Sequence, residues 1–209
     1  MRRRSLLLAA ALPGCSVLPN RPYVETRLFP LDPQRPPGPP PAVAGRPLLL
    51  RSLRTAPGLE TRSLRRVRAD GTLDLAFYAE WVALPADLTE AALRAWLAAS
   101  GMFTAVTAPG SRLPAPLVLE AELTTLEARP SQRQARAGLG ALLLAEREAG
   151  GELRPAGQWV AEGSAPITGA PDSADAQAAA MVAALGAAFE RIEAGLVRHI
   201  PAEPARNRR

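Results

Sequence analysis

Six prolines stand within nine positions of this chain: Pro33, Pro36, Pro37, Pro39, Pro40 and Pro41, with Pro47 just beyond. Each locks φ and removes a backbone donor, so the stretch cannot join a helix or a central strand. It favours polyproline II, a semi-rigid spacer of about 3.1 Å per residue. The 209 residues are thereby divided. Residues 15–45 read as a tether, 46–201 as one folded domain and 202–209 as a disordered tail. Within the tether, the run from Tyr23 to Leu31 carries apolar groups worth burying, and reads as an extended strand packed on the domain.

The segment ahead of the tether has a different character. Arg2, Arg3 and Arg4 are followed by the unbroken apolar run Leu6 to Leu12 and then by small residues. This is the pattern of an export signal over residues 1–14, too short to span a bilayer. The Arg3-Arg4-Ser5-Leu6-Leu7 string also resembles a twin-arginine signal, though paired arginines are common in basic leaders. It ends in Leu12-Pro13-Gly14-Cys15, which resembles a bacterial lipobox: a small residue before the cysteine and an aliphatic one three before it. On that reading Cys15 becomes the first mature residue, bearing a diacylglyceryl thioether and an amide-linked acyl chain such as palmitate. Two or more acyl chains anchor stably. Ser16 in place of an aspartate sorts such a protein to the outer membrane, facing the periplasm.

Composition narrows the chemistry. A single cysteine excludes an intrachain disulfide framework. With one histidine as well, it excludes the usual zinc clusters, so no metal or other cofactor is expected. All 25 basic residues are arginine, against 20 acidic ones. Removal of the leader takes Arg2, Arg3 and Arg4, so nucleic acid is not an expected partner. No Gly-Lys-Ser/Thr phosphate loop or Gly-x-Ser-x-Gly elbow occurs. His199, the only candidate for a Ser-His-Asp triad, closes a helix, where a cation is mildly favoured.

The domain alternates between the two periods of regular structure. Leu48 to Leu53 reads as a buried strand. Leu59–Arg68 and Leu73–Tyr78 flank Asp70-Gly71, a hairpin signal. Asp87-Leu88-Thr89-Glu90 has the shape of a capping box opening a helix whose Leu88, Ala92, Leu93, Trp96 and Leu97 share a face. Gly101 stops it. Strands are predicted at 103–107, 117–123, 138–146 and from 158. Ser131 to Ala137 reads as an arginine-bearing loop. Ala174 to His199 is an alanine-rich helix with Met181, Leu185, Ala188, Phe189, Ile192 and Leu196 in one stripe. Strict βα alternation is missing, so the fold class predicted is an α/β sandwich of three-layer type with a mixed sheet.

This order of elements resembles the ABC-type transport auxiliary lipoprotein family, which includes the PqiC-like lipoproteins. The lipoprotein signal, the strand at Leu48–Leu53 leading into Pro57-Gly58-Leu59, Tyr78 and Trp81 ahead of Leu84-Pro85, the helix bearing Trp96, and the late Trp159 strand with the terminal helix carry the likeness. It implies an anticodon-binding or TolB N-terminal type of sandwich. It further implies a non-enzymatic partner of an MCE-domain periplasmic subunit in an ABC lipid transport system, working at the outer membrane as a receptor or a ring of identical copies. The ATPase would belong to the partner. An assembly lipoprotein supporting a β-barrel, of the lipopolysaccharide-assembly type, is the alternative.

Four residues stand out as partner or groove contacts. Tyr78 and Trp81 are strand-end aromatics in a chain with 4% aromatic residues. They serve either as core anchors or as a groove. Arg65 and Arg66 belong with Arg62 and Arg68 to a basic cluster. It is either a solvated edge strand or a site for anionic headgroups or an acidic partner. Glu120, Glu122 and Glu127 do not make an acid/base pair, because strand alternation places the first two together on one face.

Overall fold

A computed structural model describes residues 23–38, 45–146 and 151–201. The elements are strands β1 (Arg27–Phe29), β2 (Leu48–Thr55), β3 (Ser63–Val67) and β4 (Leu73–Trp81), helix α1 (Pro85–Ala99), strands β5 (Val106–Thr107), β6 (Leu117–Arg129), β7 (Gln134–Glu146) and β8 (Leu153–Pro166), and helix α2 (Ala174–His199). The strands form one mixed sheet of eight. The expected α/β sandwich with a mixed sheet is present.

β6 is the spine. β7 pairs antiparallel along its whole length, and β8 follows β7. On its other edge β6 meets β2 and then β3, both parallel to it. Thr55 lies opposite Leu123 and Arg66 opposite Ala128, so five steps along β6 match eleven from β2 to β3. The excess is the excursion at Pro57-Gly58-Leu59. Gly58 takes φ +88°, a conformation that L side chains rarely adopt, and Leu59 is tucked back into the core. β4 pairs antiparallel with β3, and β1 runs parallel to β4 at the outer flank.

One face of this sheet is covered. Leu117, Leu119, Ala121 and Leu123 of β6, Leu139, Ala141, Leu143 and Ala145 of β7, and Leu48, Leu50 and Leu53 of β2 point toward the helices. Every member of the apolar stripe read from the sequence of α2 is buried. α2 lies across β6 to β8, and α1 across β2 and β5. Trp96 of α1 meets Phe189 of α2 edge to face, with centroids 5.5 Å apart. Close approach is made by small residues. A Cβ on Gly163 would sit 2.0 Å from the Ala184 carbonyl oxygen and 2.5 Å from the Ala188 nitrogen. Both helices share this face, so the described residues supply two layers, sheet and helices, where three were expected.

Several local expectations need correction. α1 starts at Pro85 with Leu84 as an extended N-cap and no side-chain cap; Asp87 falls within the first turn. Proline at the first position has its φ already set and lacks an N–H that would have no partner within the helix. Glu90 is bonded to Arg94 one turn on. Of the strand expected at 103–107, only Val106–Thr107 pairs. The arginine-bearing 131–137 segment is no loop: a 3-10 turn at Pro130–Gln132 leads directly into β7, with Arg133 in the left-handed region. The Arg62 to Arg68 segment is no edge, because β3 lies between β4 and β6. The segment from Tyr23 to Leu31 packs in part: Arg27–Phe29 pairs with β4 and Leu31 is buried, whereas Tyr23 and Val24 stay exposed outside the strand. Packing continues into the proline run, so part of the stretch read as tether is built into the domain.

Candidate functional site

Cys15 lies outside the described residues. The other four singled-out residues do not form one site. Trp81 is 1% exposed and faces the core, so it anchors packing and offers no partner surface. Tyr78 is 53% exposed on the opposite face. The reason lies in the register. Leu75 pairs with Arg65 and Glu80 with Ser63, so β4 takes five steps where β3 takes two. This bulge turns both Phe77 and Tyr78 outward between the inward Ala76 and Ala79.

Arg65 and Arg66, as neighbours on a strand, point to opposite faces. Arg66 pairs with Asp74 at 2.8 Å, and Arg68 reaches the same carboxylate at 3.4 Å. Arg62 pairs with Glu80 at 2.7 Å. Arg65 donates to the Gly58 carbonyl at 3.0 Å and lies 3.8 Å from Glu127. The four guanidinium groups of the basic cluster thus share three carboxylates, Glu80, Asp74 and Glu127.

Glu127 itself was not legible. It is 6% exposed, yet stands on the face without helices, where Arg129 donates to it at 2.8 Å from the side opposite Arg65. Plain alternation from Leu117 would aim Glu127 into the apolar core. A bulge between Leu123 and Thr125 resets the phase and brings the carboxylate out to two guanidinium groups. Glu120 and Glu122 share this face, as alternation predicts; Glu120 pairs with Arg51 at 3.1 Å. A shallow trough of about 400 Å³ runs past Glu127, Arg129, Arg136 and Glu162 to Arg191.

A second arrangement ties the N-terminal segment across the helical layer. Arg27 forms a two-pronged bond to Asp175 in the first turn of α2. The guanidinium hydrogen bond holds the Asp175 carboxyl below the usual carboxylate range and raises Arg27. Farther on, Pro33 lies 3.5 Å from the position a Gly186 Cβ would take. Arg35 then grips Glu193 through Nε at 3.0 Å and Nη2 at 2.7 Å. Trp96 Nε1 donates to the same carboxylate at 3.0 Å. Hydrogen bonding to Glu193 raises the Arg35 guanidinium above its ordinary value. The isolated Arg35 among prolines was the available sequence signal.

His199 stacks on Trp159, with centroids 5.2 Å apart. Among the described residues no three His, Cys, Asp or Glu side chains converge as a metal site. No described helix is long and apolar enough to cross a membrane.

These features define a mixed-sheet α/β sandwich with helices on one face and a strapped N-terminal segment. Solved structures share this fold. A Xanthomonas campestris protein of family DUF330 superposes with a TM-score of 0.66 at 19% identity, covering 81% of this chain and 94% of that one. An uncharacterized protein gives 0.60 at 14% identity over 85% and 99%. A hypothetical Chlamydia trachomatis protein gives 0.54 at 11% identity over 77% and 100%. No family model and no curated protein matches the sequence.

Proposed function

We propose that this chain is a lipid-anchored auxiliary subunit of an ABC/MCE-type lipid transport system, holding the periplasmic MCE subunit at the outer membrane. The observation that carries the reading is Cys15, the only cysteine, standing directly after Leu12-Pro13-Gly14 behind a basic and apolar leader. The order of elements, and a fold held in common with a DUF330 protein, are consistent with a PqiC-like lipoprotein. The chain's part is to recognise and position. Its helix-free sheet face offers broad, open relief with paired charges, suited to a protein or membrane surface. ATP hydrolysis falls to a partner, since this chain lacks any lysine with which to build a phosphate loop.

Affinity capture of the tagged, acylated protein from mild detergent recovers an MCE-domain protein if the reading is right. Recovery of a β-barrel in its place moves the function to outer-membrane assembly. Labelled palmitate is incorporated into the native chain and lost in Cys15→Ser; equal labelling of both removes the anchor.

A further inference from the structure

On the helix-free face, the flank made by β4 and β1 is apolar and open. Leu73, Leu75 and Phe77 follow one another at every second position of β4. The bulge adds Tyr78, and Leu28 of β1 joins them through its pairing with Glu80. All five are exposed, Phe77 to 87%. In the sequence Leu73 to Tyr78 reads as an ordinary half-buried strand, so nothing there marks its open face.

We infer that this stripe lies against the bilayer that holds the chain's own acyl anchor, an inference that rests on the lipoprotein reading. Three observations select the membrane over other occupants. The first is where the chain leads. β1 runs parallel to β4 with Arg27 beside Ala79, so the preceding residues approach from the side of Phe77 and Leu75. Tyr23, the first described residue, is eight steps from Cys15, a reach of at most about 29 Å when fully extended. The anchor therefore holds Tyr23, four residues ahead of β1 and its pairing with β4, within that reach of the lipid. The second is chemistry. Tyr78 and Phe77 are aromatics on an apolar patch, and such groups settle at the headgroup level. Arg62 beside them is already held by Glu80 at 2.7 Å, so the contact is apolar and does not depend on anionic lipid. The third is shape. Five side chains on an open strand neither enclose a single solute nor reach the roughly 800 Å² per partner of a stable dimer.

The test uses the full, acylated chain. Acylation consumes the Cys15 thiol, so Phe77→Cys gives a single free thiol for a bimane label. Val160→Cys, exposed on the same face but on β8, is the control, and Leu73→Cys is the second stripe position. Each is placed on phosphatidylcholine vesicles carrying headgroup nitroxide. Expected is a blue shift and loss of emission at 77 and 73, none at 160, unaltered by added salt or by phosphatidylglycerol. Equal quenching at 77 and 160, or none at 77, overturns the inference while leaving the anchor intact. A blue shift at 77 without vesicles that grows with protein concentration assigns the stripe to a second copy and overturns it. So does a shift at 77 that needs an added MCE-domain protein. A mass showing unmodified Cys15 overturns the anchor, and the inference with it.

Discussion

The covered face of the sheet and the open one are cut from the same strands but are finished by different means. Toward α1 and α2 the strands present leucine and alanine, and the contact is closed by shape. Alanines and glycines let α2 settle on β8, and Trp96 and Phe189 fill the space between the helices. Away from the helices the same strands present charge. Arg51 meets Glu120, and Arg65 and Arg129 share Glu127. On β4 and its neighbour β1 that face also carries the exposed apolar stripe of Leu73, Leu75, Phe77, Tyr78 and Leu28. Packing thus fixes the first face and ion pairs mark much of the second, while one flank of the second stands apolar and open among the described residues.

Substitutions weigh this contrast. The largest effect is expected at Gly163→Val, where Cβ would meet α2 backbone at 2.0 Å. Backbone cannot retreat as a flexible side chain can, so we expect loss of the cooperative urea transition, beyond about 4 kcal/mol. Phe189→Ala, also on the covered face, should cost about 3–5 kcal/mol through the cavity it leaves. Glu127→Ala tests the other face, stranding two partly buried guanidinium groups. Because both retain some solvent, the expected cost is about 2 kcal/mol, below that of a fully buried pair. Phe77→Ser should leave the unfolding free energy from urea titration within about 0.5 kcal/mol of the parent. A cost rivalling that of Phe189→Ala would show that β4 is covered after all, and would dissolve the contrast.

The smallest effect is a pH dependence. Asp175 has its pKa depressed by the Arg27 hydrogen bond. Its contribution is complete above the unfolded value, about 3.9, and fades as pH falls through the lower folded value. Amide exchange in β1, corrected for the intrinsic pH dependence of exchange, should therefore be unchanged from pH 7 to 5. It should quicken, relative to Arg27→Gln, only under stronger acid.

Legibility followed period and local signals. α2 was read to the residue, because 26 residues of alanine-rich sequence with one stripe admit no rival period. The Asp70-Gly71 hairpin was equally plain, Gly71 taking φ +86°. What escaped was set by register. The bulges in β4 and β6 leave no mark on an alternating pattern. Yet one separates Tyr78 from Trp81 and the other lifts Glu127 out of the core. The interior place of β3 could not be read, because arginines suited to an edge also suit a strand with carboxylates opposite. Leu31 was legible through its apolar neighbours, but the Arg35–Glu193 pair was not, because the prolines around Arg35 speak only of local conformation.

The strap over the helices has a mechanical consequence. A pull on the N-terminus first meets β1, held in parallel beside β4, so its hydrogen bonds are strained together in shear rather than unzipped singly. Tension that passes β1 reaches the buried Leu31 and then the forked Arg35–Glu193 grip on α2 before it can be felt at β2. Traction on the N-terminus is thus shared among three successive fastenings, and β2 stays at rest until the last of them has slipped.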